Sequence, residues 1–135
     1  MKAGTKDTDV VVGKKSWFDS LTEGLRKCGY RNVQRVHLSK VYKKLAATAI
    51  LENEDGFRWD VFLRVVANKL FLSNPMKKRA REYYDNGKLK VYTLANDDVF
   101  LMKSVTGRER DLEDMSRTAR SGIDHEIVYN ECLLQ

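Results

Sequence analysis

Hydrophobic and polar positions along this chain repeat at two periods, and each change of period marks a new element. In DTDVVVG a polar start runs into three valines and stops at Gly13, which predicts a short buried strand. SWFDSLTEGLRKCG places Phe18, Leu21, Leu25 and Cys28 on one helical face, with Ser16 as N-cap and Gly29 as terminator. YRNVQRVHLSKVYKKL keeps no single period and reads as a short strand followed by a helical turn. AATAILENEDGFRWDVFLRVV predicts two strands joined at Glu54-Asp55-Gly56. In the second of them Phe57, Trp59, Val61 and Leu63 share one face, and Arg58, Asp60 and Phe62 the other.

The second half reads as mostly helical. NPMKKRAREYYDNG predicts a basic helix, with Asn74 as its cap and Pro75 at the first helical position. KLKVYTL is a strand. Asn96 is expected to cap DDVFLMKSV, with Asp97 and Asp98 at the positive end of the helix dipole. Two more helices run roughly from Arg108 to Arg120 and from Asp124 to Leu134, broken at Ser121-Gly122. No internal repeat, low-complexity tract or linker interrupts the pattern. The expected class is α/β (α+β), one domain over residues 1–135. Its sheet-containing part covers about 5–95 and a helical C-terminal part about 96–135.

Composition narrows the partners. With 135 residues, 42% of them hydrophobic, the chain suits one domain with a modest core. No apolar run is long enough to span a bilayer and no signal-peptide pattern opens the chain, so a cytoplasmic protein without membrane contact is expected. Cys28 and Cys132 are expected to be reduced and buried. His37 and His125 have no cysteine at zinc-ligand spacing, which argues against a structural zinc site. A net charge of +6, from 25 basic and 19 acidic residues, favours a polyanionic partner, or simply a basic surface.

The carboxylates carry the sharper chemistry. Asp7 and Asp9 project from one side of their strand, with Thr8 facing away. They repel each other unless a cation lies between them, so they read as a Mg²⁺ or Mn²⁺ site, or else as a solvated strand end. Asp60, inside an apolar strand, is costly to bury unless it is metal-bound or paired with Arg58, Arg64 or another base. If its strand adjoins that of Asp7 and Asp9, three carboxylates converge. Such a set holds two divalent ions and activates a hydroxyl for attack on a nucleotide α-phosphate.

Two other clusters stand out. Lys103, Arg108, Asp111 and Asp114 lie on or between two C-terminal helices, with Leu112 and Met115 expected toward the core. They read as a helix–helix junction pinned by Arg108 or Arg110. Lys77, Lys78, Arg79 and Arg81 stand beside Tyr83 and Tyr84, either as a solvated helix face with its tyrosines packed inward or as a contact for single-stranded nucleic acid or tRNA ends, through phosphate pairing and base stacking.

GTKDTDVVV, ILENEDGFRWDVFLRVV, DDVFLMKSVTGRERDLEDM and GIDHEIVYNE, in that order, resemble the DNA polymerase β-type nucleotidyltransferase superfamily. The resemblance is to its small prokaryotic and archaeal branches, near the minimal nucleotidyltransferases and AbiEii-type toxins. It implies a mixed sheet flanked by helices, and Mg²⁺-dependent transfer of a nucleoside monophosphate from an NTP to a hydroxyl of an RNA, tRNA or protein acceptor. By it Asp7, Asp9 and Asp60 are metal ligands, and Asp60 is also the catalytic base. Thr5, Lys6, Lys103, Arg108 and Asp111 lie on the nucleotide or substrate side. Only six residues precede Asp7 here, too few for the family's Gly-Gly or Gly-Ser loop, so weakened NTP binding is expected unless that loop lies upstream of Met1 or comes from another chain. The alternative is a non-catalytic RNA- or protein-binding member of the fold, such as a toxin–antitoxin component. A sheet edge left uncovered would favour pairing between chains.

Overall fold

The valine run of Asp7–Val12 forms strand β1, which lies at the edge of a four-stranded mixed sheet. The computed structural model of the chain describes residues 6–34 and 40–135, the side chains of residues 41, 42 and 44 excepted. The structure is mixed α/β. It divides into two compact units, Met1–Asn68 and Lys69–Gln135, where a single domain over residues 1–135 is the expectation from sequence.

In the first unit β1 is followed by helix α1 (Lys15–Lys27), the two-residue β2 (Arg31–Asn32) and helix α2 (Lys40–Leu45). Then come β3 (Ala49–Glu52), β4 (Arg58–Leu63) and the short β5 (Val65–Val66). The sheet order is β1-β4-β3-β2, with β1 parallel to β4 and the other pairs antiparallel. The β3–β4 turn forms as its Asp-Gly signal requires. Asn53 accepts through its side chain from the N–H groups of Asp55 and Phe57, and Gly56 takes a φ of 80° that a side chain would strain. Beneath the sheet, Phe18 and Leu25 of α1 bury against Leu51 and Val61, with Val10, Val12, Trp59 and Leu63 packed around them.

Details of α1 differ from the sequence reading. The helix begins after Lys14 rather than after Ser16, and Cys28, its C-terminal cap, is exposed rather than buried. The apolar face stops at Leu25 because the helix itself stops, closed by Gly29 at a φ of 92°. Phe57, outside β4, is exposed under the Lys6 ammonium, 5.4 Å from its ring centre.

The second unit opens with the short β6 (Leu70–Phe71) and helix α3 (Asn74–Arg79). A hairpin of β7 (Arg81–Asp85) and β8 (Lys90–Thr93) follows, then helices α4 (Asn96–Ser104), α5 (Glu109–Arg120) and α6 (His125–Leu134). The long basic helix expected over residues 74–87 is thus half strand. Ala80 turns extended, and Asp85-Asn86-Gly87 makes a hairpin turn in which side-chain oxygens accept from the N–H groups of Gly87, Lys88 and Leu89. The cap of α3 is Ser73, whose hydroxyl accepts from Met76 N–H at 3.2 Å, and Asn74 sits one place inside the helix. Ala95, without a side-chain bond, precedes α4 in place of Asn96. Asp124 caps α6 by accepting from the N–H groups of Glu126 and Ile127.

Candidate functional site

Parallel pairing of β1 and β4 sets Asp9 opposite Asp60 and Asp7 opposite Arg58. Residues in register across two strands point to the same face, so Asp7, Asp9, Arg58 and Asp60 share one. It is the face opposite Val10, Val12, Trp59 and Val61, which pack against α1. The strand adjacency that the carboxylate reading needs is therefore present.

The three acids differ in environment. Asp9 is exposed and Asp7 half-buried, whereas Asp60 is only 2% exposed. Both Asp60 oxygens accept from the Arg58 guanidinium, Nε at 3.0 Å and Nη2 at 3.3 Å. This fork is the pairing that allows a carboxylate to be buried in an apolar strand. Among the described residues no three His, Cys, Asp or Glu side chains form a group arranged to hold a metal ion. A divalent cation at Asp60 would compete with the Arg58 guanidinium for these oxygens. Lys6, at the entry to β1, donates from Nζ to the Asp55 carbonyl at 2.8 Å. Thr5 lies outside the described residues.

A cavity of about 540 Å³ opens elsewhere in the first unit, lined by Phe18, Arg26, Asn32, Lys43, Thr48 and Ile50 among others. None of the three acids lines this cavity.

In the second unit Lys103 on α4 bridges two acids of α5, Asp111 at 3.1 Å and Asp114 at 2.9 Å. Asp111 also accepts from the Thr106 hydroxyl and from Arg108 Nε, both at 2.6 Å. Burial pushes the Asp111 carboxyl up, but the bonds from Thr106, Arg108 and Lys103 outweigh it and hold it below its ordinary value. Burial likewise pulls the Lys103 ammonium down, and the two aspartates more than reverse it. Lys103, Arg108 and Asp111 are thus tied to one another in a junction between α4 and α5. Satisfying Asp111 inverts the expected polarity of α5, since Asp111 is buried while Leu112 is 63% exposed.

Sequence reasoning missed a second buried network. Arg79, placed with Lys77, Lys78 and Arg81 as a nucleic-acid contact, has its guanidinium on Asp98 through Nε at 3.0 Å and Nη2 at 2.6 Å. The same Nη2 donates to Glu131 at 2.7 Å. Asp98 and Glu131 are each 1% exposed. Glu131 takes the inward position on α6, which turns its neighbour Cys132 about 100° round the helix to the surface, correcting its expected burial. Lys77, Lys78 and Arg81 are exposed. The signal for this network was Asp98 and Glu131 themselves, acids set among apolar helical neighbours.

Among the described residues no helix is long and apolar enough to cross a membrane. In comparisons with known proteins, the chain matches no family model, no curated protein and no solved structure.

Proposed function

We propose that the chain is a nucleotidyltransferase-like protein of the polymerase β type, acting on an NTP and a hydroxyl acceptor at the Asp7–Asp9–Asp60 face. The observation that supports this reading is the in-register parallel pairing of Asp9 with Asp60. It gathers acids from sequence positions far apart onto one face, with two of them open to solvent to some degree. In this reading Asp7, Asp9 and Asp60 are the residues that would hold the divalent ion, Asp60 in competition with its Arg58 fork, and Asp60 would also accept the proton of the attacking hydroxyl. Bound Mg²⁺ supplies neutralisation of phosphate charge and a lowered hydroxyl pKa. Arg58, released from Asp60, stays beside the site as a cation suited to a phosphate oxygen.

The Arg58–Asp60 pair favours a second reading as well. A carboxylate already neutralised by a guanidinium fits a non-catalytic member of the fold that binds RNA or a protein, such as a toxin–antitoxin component. Equilibrium binding of a labelled NTP with and without Mg²⁺ separates the two. The nucleotidyltransferase reading expects binding that requires Mg²⁺ and weakens at least about tenfold in Asp9→Ala, a loss of one metal ligand. Absence of NTP binding at millimolar Mg²⁺ would leave the non-catalytic reading.

A further inference from the structure

The β7–β8 hairpin is a two-stranded ribbon in which every residue from 81 to 90 is exposed. Ribbons of this kind are marginal in water unless something packs on them. This one carries large apolar surface into solvent, with Tyr83 77%, Tyr84 48% and Tyr92 52% exposed.

Its register decides which of these residues act together. Arg81 lies opposite Thr93 and Tyr84 opposite Val91. Thr93 and Val91 are two apart on β8 and so share a face, and their partners Arg81 and Tyr84 share it with them. The register shifts between Glu82 and Tyr84, leaving Tyr83 as an extra residue on β7. Such a bulge sets two residues opposite one, here Tyr83 and Tyr84 against Val91, and re-aims a side chain. Two adjacent tyrosines and an arginine therefore stand along one strand, each of them exposed among the described residues. Tyr92 pairs with Glu82 and belongs to the other face.

Charge selects the occupant. Lys77, Lys78, Arg81 and Lys88 lie on or immediately before the hairpin against Glu82, while Lys90 and Asp85 stand opposite each other on the Tyr92 face. Asp85 is answered within the ribbon, by Lys90 at 3.2 Å and by Gly87 N–H at 2.8 Å. An acidic or apolar protein surface would satisfy the cations or the rings; a single-stranded nucleic acid satisfies both, through phosphates and base faces.

We propose that the Arg81–Tyr83–Tyr84 edge of the hairpin binds single-stranded nucleic acid, with bases stacked on the tyrosines and phosphates paired to Arg81 and the neighbouring lysines. The site shares no residue with the acids of β1 and β4, and it stands or falls without them.

Anisotropy titrations of the full chain with labelled single-stranded RNA and DNA of about twelve nucleotides test it. Saturable binding that weakens with salt is expected. It should fall at least about tenfold in Tyr83→Ala/Tyr84→Ala and persist in the double Phe variant, because stacking needs only the ring. Arg81→Ala should reduce the slope of log affinity against log salt by about one. Tighter binding of RNA than DNA would assign the ligand as RNA, and equal binding would assign it as either strand. Photocrosslinking of a bound oligonucleotide to the peptide holding residues 81–84 gives the same answer without any variant. No saturable binding at low salt, binding unchanged by loss of both tyrosines, or crosslinks only elsewhere would each overturn the proposal.

Discussion

Replacing Arg79 by alanine is expected to cost the second unit about 3–5 kcal/mol, because it strands two carboxylates that are each 1% exposed. Arg79 is the shared partner of Asp98 and Glu131, and these three side chains tie α3, α4 and α6 together. A loss of that size is a large part of the stability of a small domain. Denaturant unfolding followed by far-UV circular dichroism reads it, since α4, α5 and α6 dominate the helical signal of this unit. Arg79→Lys should fall between wild type and alanine, keeping the charge but not the planar fork. A loss below about 1 kcal/mol, the range of an exposed pair, would show that the network is not the clamp its burial implies.

The pH dependence of that loss follows from Glu131. Burial pushes its carboxyl up, but bonds from Ser73, Arg79 and Gln135 outweigh burial and hold it below its ordinary value of 4.5. A group depressed in the folded state stabilises fully above its unfolded value and loses that contribution as pH falls through its folded value. Wild type should therefore lose this stabilisation only in acid, below about pH 4.5. Arg79→Ala removes one of the bonds that hold the carboxyl down, so there Glu131 protonates earlier. The gap between the two proteins should narrow as pH drops, because a protonated carboxyl no longer needs the guanidinium. A gap independent of pH would point to lost packing instead.

What could be read from the sequence was what depends on neighbours in the chain. β1, the β3–β4 hairpin and α5 with α6 follow from periods of two and of 3.6, from Asp-Gly, and from Asp124 placed before an apolar run. Convergence of the three acids requires β1 beside β4, and the register meets that requirement. The sequence leaves the partner of Asp60 open among Arg58, Arg64, another base and a metal; only geometry places the Arg58 fork at 3.0 Å. The Arg79 network joins residues 19 and 52 positions apart, a distance over which no local pattern carries information. β7 departs from the expected helix for a different reason. Its basic residues favour helix, yet Asn86-Gly87 was a hairpin signal in plain view, and pairing of the tyrosine-rich segment with β8 overrode local helix propensity.

Arg58→Ala is expected to be the most informative change in the first unit. It leaves Asp60, 2% exposed, without the fork that neutralises it, at a cost of about 3–5 kcal/mol in divalent-free buffer. Both tryptophans, Trp17 and Trp59, belong to this unit, so fluorescence-detected unfolding reports on it directly. The paired replacement Arg58→Met with Asp60→Leu should recover most of the loss, since an apolar pair of similar volume needs no counter-ion. The effect of Mg²⁺ on the single variant then distinguishes the two functional readings. If Asp7, Asp9 and Asp60 form a cation site, removing the competing guanidinium opens it. Millimolar Mg²⁺ should then raise the unfolding midpoint of Arg58→Ala more than that of wild type, by ligand linkage, and Asp9→Ala in the same background should abolish the gain. If Arg58–Asp60 is only a structural pair, Mg²⁺ should leave the variant as unstable as it found it. Because this readout is stability rather than turnover, it bears on the metal site even in a chain that transfers no nucleotide.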